Sequence, residues 1–258
     1  MNNNHRIYEP SQCCVFRKTK EAFGGLSNMA AGYPLVINGT KILTSEALYQ
    51  ACRYPHLPEV QRIIIAQNSP MTAKMKSKFY YSQSRTDWEN IKIAVMRWSL
   101  RIKLAQNFMK FGLLLESTHN KPIVEESRRD NFWGALKSDD GRLRGLNILG
   151  RLLMELREAY SSETRYQLLF VPTPQIDNFK ILEKEISLID ERFYFFQSII
   201  NNWQLSPISQ NDAELYKQLL NYLINPSTTK IFSNTTPHTL PLFQVHFGSN
   251  APALEPLL

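Results

Sequence analysis

Hydrophobic and polar positions along this chain change period several times, and the changes mark its elements. Cys13-Cys14-Val15-Phe16 is a short apolar run that reads as a strand. Leu35-Val36-Ile37, then Asn38-Gly39, then Lys41-Ile42-Leu43 has the form of a hairpin closed by a two-residue turn. Thr44-Ser45-Glu46 opens a helix that Pro55 ends, since proline disfavours helical geometry in the residue before it. On a 3.6-residue period Ala47, Leu48, Ala51 and Cys52 share the side predicted to be buried, and Glu46, Tyr49, Gln50 and Arg53 share the other. Ser69-Pro70 starts a second helix. Thr86 and Glu89 stand at capping-box spacing for a third, with Trp88, Ile91, Val95, Trp98, Ile102 and Ala105 as its apolar seam. Ile123-Val124 is a brief strand, 127–145 is rich in loop residues, and Leu146, Leu149, Leu153 and Leu156 mark a further helix.

This pattern predicts an α+β fold: one helix-rich domain with a short hairpin over 13–160, preceded by a loose arm over 1–12. After Tyr160 the texture changes. Ile176 to Trp203 and Ala213 to Ile224 read as helical, giving a mainly helical extension over 161–224, and 225–258, rich in Pro, Ser, Thr and Asn, reads as a tail. No internal repeat is found.

Composition narrows the class. With 43% hydrophobic residues in 258, the chain can bury one substantial core with residues to spare for an extension. No run approaches the roughly 20 apolar residues of a membrane span, and the start Met1-Asn2-Asn3-Asn4-His5-Arg6 lacks a signal-peptide core, so a cytoplasmic, non-membrane protein is expected. Cys13, Cys14 and Cys52 have neither zinc nor redox spacing and read as idle thiols; the five histidines are scattered, and no metal is assigned. The net charge of +7 favours contact with phosphate.

The usual phosphate-loop, nucleophile-elbow and zinc-protease patterns are absent. The chemistry must lie in placement. Glu46 falls in the first turn of its helix, where free amides and the dipole favour an anion. Such a carboxylate can stabilise the cation that grows on a sugar as a glycosidic bond breaks, or activate water, or merely cap its helix on a solvated face. Ser127-Arg128-Arg129-Asp130-Asn131-Phe132-Trp133-Gly134 combines guanidiniums for phosphate with aromatic faces for a base; the alternative is an Asx-turn at Asp130-Asn131 anchored by its aromatics. Arg17-Lys18-Thr19-Lys20 before Phe23-Gly24-Gly25 can close on phosphate through backbone amides, or be a solvated loop. Lys74, Lys76, Lys78 and Arg85 read as a solvated face, and Trp88 as core.

Taken in order, Phe23-Gly24-Gly25-Leu26-Ser27-Asn28-Met29, Thr44-Ser45-Glu46-Ala47-Leu48-Tyr49-Gln50-Ala51, Ser69-Pro70-Met71, Asp87-Trp88, Val124-Glu125, Asp130-Asn131-Phe132-Trp133-Gly134 and Asn147-Ile148-Leu149-Gly150-Arg151 resemble the NADAR family over about Phe16 to Glu158. The resemblance implies cleavage of N-glycosidic bonds without metal or cofactor. It implies Glu46 as the main catalytic carboxylate, Trp88 and Asp130 as further active-site residues, and Asn28 and Trp133 as lining groups, which moves Trp88 from core to cleft. Phe23, Gly24, Tyr49 and Gly134 join them as substrate-binding candidates, with Arg17, Lys18 and Arg128 for a diphosphate. The branch acting on riboflavin-pathway intermediates typically has His after the Ser-Glu pair and Asp-Gly-Gly after the Trp-Gly pair. Ala47 and Ala135 stand there instead, and Glu125-Glu126-Ser127-Arg128 resembles the branch that removes ADP-ribose from guanine, often as antitoxin to a DNA ADP-ribosyltransferase. The implied partners are thus ADP-ribosylated nucleic acid and a cognate ADP-ribosyltransferase toxin. A glycosidase of free riboflavin intermediates and a non-catalytic ADP-ribose reader are the alternatives. Because every motif ends by Arg157, residues 161–258 are expected to be dispensable for a small substrate.

Overall fold

The computed structural model describes residues 5–204. Chain order is β1 (Arg6–Tyr8), β2 (Cys14–Phe16), β3 (Leu35–Ile37), β4 (Thr40–Ile42), α1 (Ser45–Ala51), α2 (Pro58–Ile65), α3 (Pro70–Lys78), α4 (Trp88–Gln106) and α5 (Phe108–Glu116). Then follow β5 (Ile123–Ser127), β6 (Ala135–Lys137), β7 (Leu143–Gly145), α6 (Ile148–Tyr160), β8 (Phe170–Val171), β9 (Lys180–Ile181), β10 (Lys184–Glu185), β11 (Ile189–Asp190) and α7 (Arg192–Gln204). The α+β class holds. The chain divides into a unit over Met1–Arg192 and a second over Phe193–Leu258, of which only the α7 residues are described. Among the described residues no helix is long and apolar enough to cross a membrane.

The main sheet runs β1-β7-β6-β5-β2, with β2 and β6 parallel to β5 and the other pairings antiparallel. Arg6–Tyr8 pairs with Leu143–Gly145, so part of the arm expected to be loose is an edge strand, drawn in by the buried Tyr8 beside Val124 and Leu143. The β3–β4 hairpin forms as the sequence predicts, turning through Asn38 and Gly39 at positive φ (49° and 77°). Ser69 caps α3 as expected, its side chain accepting from the Thr72 amide. Thr86 does not cap α4. The helix starts after Asp87, whose carboxylate instead takes the Arg85 guanidinium in two bonds of 2.6 and 2.9 Å.

Packing of α4 follows its sequence period. Trp88, Val95, Trp98, Ile102 and Ala105 are all buried, each large side chain worth about 1.5–3 kcal/mol of burial. The same helix hides Lys103, fully buried, whose ammonium donates to the carbonyls of Gly25 (2.7 Å) and Ser27 (3.0 Å) over the rings of Tyr33 and Phe111. Burial lowers its pKa, and those two bonds fix the loop that ends at Asn28.

Residues 161–191 are not the helix the pattern suggested. They form a 3-10 turn (Arg165–Leu169) and two small ladders, β8 with β11 and β9 with β10. The apolar positions of Ile176 onward serve a strap that lies on the domain, so they bury singly instead of along one helix face. Phe179 meets Trp98 edge-on at 5.0 Å, and Leu169, Val171, Ile181 and Ile186 are buried. Arg85 donates to the Asp177 carbonyl (2.6 Å), Gln61 to that of Lys180 (2.9 Å), and Asn38 to that of Glu185 (2.9 Å). Helix appears only from Arg192; Ala213 to Ile224 and the 225–258 tail lie outside the described residues.

Residues 161–191 are therefore part of the domain's packing, and a chain cut at Tyr160 loses buried contacts whatever its part in cleavage. Burial of Leu169, Val171, Phe179 and Ile181 contributes roughly 6–12 kcal/mol before entropy is charged, as much as a domain's whole net stability. A chain ending at Arg192 is expected to melt cooperatively near the parent temperature, and one ending at Tyr160 to lose its cooperative transition. Equal melting temperatures for the two truncations would refute the strap's role.

Candidate active site

Helix α1 supplies the first acid. Thr44 caps it, accepting from the Ala47 amide at 3.3 Å, and the Glu46 amide donates to the Asn28 carbonyl at 3.1 Å. Every residue of α1 is buried, Glu46 included at 5% exposure, so the side shared by Glu46, Tyr49 and Gln50 is a wall of the interior and not a solvated face. A buried carboxylate must be hydrogen-bonded. Gln50 donates to Glu46 Oε1 at 2.9 Å, Ser77 donates to Gln50 Oε1 at 2.7 Å, and Tyr54 donates to the Ser77 carbonyl at 2.7 Å. Lys74, assigned to a solvated face from sequence, brings its ammonium to 4.0 Å from Glu46 Oε1. Glu46 raises the Lys74 pKa further than burial lowers it, and Glu125 and Asp130 add to the rise.

The second acid, Glu125, is absent from the candidates read in sequence. It lies on β5, opposite Phe16 of β2 in the parallel register. Buried Asn147, held at φ 48°, accepts from the Glu125 amide (3.2 Å) and donates to the Ile123 carbonyl (2.9 Å), clamping this strand. Gly134 passes beneath it, where a Cβ would come within 2.5 Å of the Glu125 carbonyl oxygen. Burial, then the charge of Glu46, pushes the Glu125 carboxyl up to about 7, with Lys74 opposing and Asp130 adding to the rise.

Asp130 makes the Asx-turn that its Asn131 neighbour suggested. Its Oδ1 accepts from the amides of Phe132 (3.0 Å) and Trp133 (2.8 Å), so Oδ2 is the oxygen without a backbone role. The Ile148 and Leu149 amides at the start of α6 donate to the carbonyls of Phe132 and Trp133, which fixes this loop to the helix.

Aromatic rings line the site. Tyr49 lies between Trp88 (5.1 Å between centroids) and Trp133 (5.7 Å, edge-on). Arg53 places its guanidinium over both Trp88 (4.6 Å) and Tyr81 (4.2 Å). Trp88, expected to face a cleft, is 3% exposed and packs as core because it starts the apolar seam of α4, and its indole N–H is buried without a hydrogen-bond partner. Neither Arg53 nor Tyr81 was legible as a site residue; the signal lay in the shared face of Glu46, Tyr49, Gln50 and Arg53.

The remaining candidates are more peripheral. Asn28 is buried beside Ser45, whose hydroxyl donates to Asn28 Oδ1 at 3.0 Å. Arg17 directs one guanidinium nitrogen to Glu126 (3.2 Å), which sets its loop beside β5. The amides of Arg17 and Lys18 donate to the Glu21 carboxylate (2.8 and 3.0 Å), holding its pKa below the usual range. Those amides are therefore already engaged by Glu21, contrary to the expectation that they are free to close on phosphate. Gly24 is buried where a Cβ would stand 2.4 Å from the Thr19 backbone, half-buried Phe23 precedes it, and Arg128 is exposed. Cys14 and Cys52 are buried free thiols and Cys13 is partly buried, with burial raising the pKa of all three. Among the described residues no group of three or more His, Cys, Asp and Glu is arranged to hold a metal.

Three carboxylates and one ammonium under a wall of flat rings suit the class of enzymes that cleave glycosidic bonds. The NADAR domain profile matches residues 15–160. N-glycosidase YbiA of Escherichia coli is 36% identical over 151 residues, 57% of this chain and 88% of its own length. A riboflavin biosynthesis protein of Vibrio vulnificus is 32% identical over 159 residues, 61% of this chain and 41% of that protein. The NMR structure of Escherichia coli YbiA superposes with a TM-score of 0.51 at 33% identity, covering 59% of this chain and 87% of that one. The chain belongs to the NADAR family, and its relatives over this domain include N-glycosidases.

The Glu125 shift fixes the sign of a pH effect. The folded pKa of about 7 lies above the ordinary 4.5, so the proton is bound more tightly in the folded state. Its contribution is fully present below about pH 4.5 and is lost as pH rises through 7. Glu125→Gln is expected to be more stable than the parent at pH 8, by on the order of 1–2 kcal/mol, and to converge with it near pH 4.5. Urea unfolding at both pH values checks this; the same gap at each would refute it.

Proposed function

We propose that this domain hydrolyses the bond between a ribose anomeric carbon and the exocyclic amine of guanine, removing ADP-ribose from nucleic acid. The observation that carries the chemistry is the pairing of buried Glu46 with Glu125, two carboxylates whose environments differ, above the Lys74 ammonium. Where environments separate two acids in this way, one can serve as the anion and the other as the proton donor.

In this reading Glu46 faces the anomeric carbon, where an anion lowers the energy of the oxocarbenium-like transition state more than that of the neutral sugar. Glu125 keeps its proton to near neutrality and gives it to the departing amine. Water adds to the anomeric carbon, the C–N bond breaks, and the proton from water restores the donor. The free oxygen of Asp130 orients that water or a ribose hydroxyl. Trp133 is assigned to the base, backed by the buried rings of Tyr49 and Trp88, and Arg17, Lys18 and Arg128 are assigned to the diphosphate. In a cell the same activity would suit an antitoxin that reverses an ADP-ribosyltransferase toxin.

Substrate choice is supported by Ala47 and Ala135, both fully or nearly buried, at the positions where the riboflavin-type branch typically carries His and Asp-Gly-Gly. The relatives named for riboflavin biosynthesis favour a second reading, hydrolysis of a free phosphoribosylamino-pyrimidine.

Incubation with ADP-ribosyl-guanosine, guanine-ADP-ribosylated single-stranded DNA and the pyrimidine, followed by mass spectrometry, separates the readings. Release of ADP-ribose from the guanine substrates is expected. Glu46→Gln, Asp130→Asn and Lys74→Met should keep the fold and lose on the order of a hundredfold or more in turnover. Cleavage of the pyrimidine alone, or near-parental rates in all three variants, would overturn the proposal. Binding of ADP-ribose without turnover would mark a reader.

A further inference from the structure

Helix α3 has a use beyond presenting Lys74. Its outer side exposes Met71 (54%), Met75 (57%) and Phe79 (75%), the last at the helix C-terminus, at intervals of four residues. That interval puts them on one stripe, the opposite side being sealed by buried Ala73 and Ser77. Exposed large apolar side chains in a row are not the ordinary scatter of a surface. Lys74, Lys76 and Lys78 interleave with them, and α3 carries no acidic residue. One edge of the stripe is Lys74, whose ammonium reaches Glu46. From Lys74 to Phe79 the helix rises about 7.5 Å, roughly two stacked-base spacings.

We infer that this face of α3 is the track for the single-stranded nucleic acid that flanks the modified base, Met75 and Phe79 receiving the neighbouring bases and Lys76 and Lys78 the phosphates. The inference rests on the nucleic-acid reading of the site. A guanine held in the cleft must have its strand leave over one of the cleft's edges, and flat apolar surface beside cations is what unpaired bases and their backbone require. The charge argues against two other occupants. A second copy of the same face would oppose three lysines to three lysines, and an acidic protein patch would not use the apolar side chains.

The test uses the full chain and an unmodified single-stranded DNA oligonucleotide, with binding followed by fluorescence anisotropy. Phe79→Ala is expected to weaken binding at least fivefold, in line with the loss of one stacked base. Lys76→Gln with Lys78→Gln should lower the slope of log affinity against log salt by about 1.4, two phosphate contacts at roughly 0.7 each. Both variants should cleave ADP-ribosyl-guanosine within twofold of the parent rate while losing efficiency on the modified oligonucleotide. Unchanged oligonucleotide affinity in both variants overturns the track. So does a variant whose only change is loss of self-association or of binding to anionic phosphatidylserine vesicles. Oligonucleotide binding that depends on α3, with no cleavage of any ADP-ribosyl-guanine compound, would sustain the track and defeat the proposed reaction instead.

Discussion

Glu46 is a carboxylate inside a protein core, and much of the surrounding sequence answers to that fact. An ionised carboxylate that leaves water costs several kcal/mol unless bonds and opposite charge replace the solvent. Gln50 supplies the bond one turn along α1, but an amide free to rotate would be a poor brace. Ser77 therefore fixes Gln50, and Tyr54 fixes the turn that carries Ser77. Lys74 sits one turn before Ser77 on the same helix, so a single element delivers both the brace and the counter-charge. Breaking this relay at Ser77 would loosen the acid without touching it.

The opposite wall is built by different means. Glu125 is held through its backbone, because an inner strand clamped by Asn147 and underlain by Gly134 has little room to shift. One acid is thus oriented by side chains and the other by main chain. The first can be retuned by substitution around α1 and α3, whereas moving the second requires a change in the path of β5 or α6. Asp130, held by the Phe132 and Trp133 amides on the loop that follows β5, belongs to this wall and not to that of Glu46.

Much of this was legible in the chain. The hairpin, the α3 cap and the α4 seam follow from local pattern, and the fold brings Tyr49, Trp88 and Trp133 into ring contact, Trp88 as part of the core seam and not of a cleft. Glu125 was not, because a strand acid next to Glu126 looks like any half-exposed pair until the fold sets it against Glu46. Lys74 was hidden for a related reason: a lysine between Ala73 and Met75 reads as solvated unless the partner helix is known. The strap after Tyr160 was misread because isolated apolar residues with helix-compatible spacing can equally be plugs set one by one into a preformed surface. Thr86 and Glu89 had capping spacing, yet the Arg85–Asp87 pair claimed the turn.

The strap has one more consequence. Most of its hydrogen bonds to the domain involve its main chain, the carbonyls of Asp177, Lys180 and Glu185 and the amides of Leu182 and Ser187, met by the domain side chains Arg85, Gln61 and Asn38; the side chains of Arg165, Ser187 and Glu191 add bonds to Glu116, Asn38 and Gln106. Between Phe179 and Ile186 a lock of this kind reads the path of the backbone more than what hangs from it. The exposed side chains between Phe179 and Ile186 are therefore free to vary, so this segment can accumulate substitutions, or accept a grafted peptide epitope, provided its few apolar plugs and its course are kept.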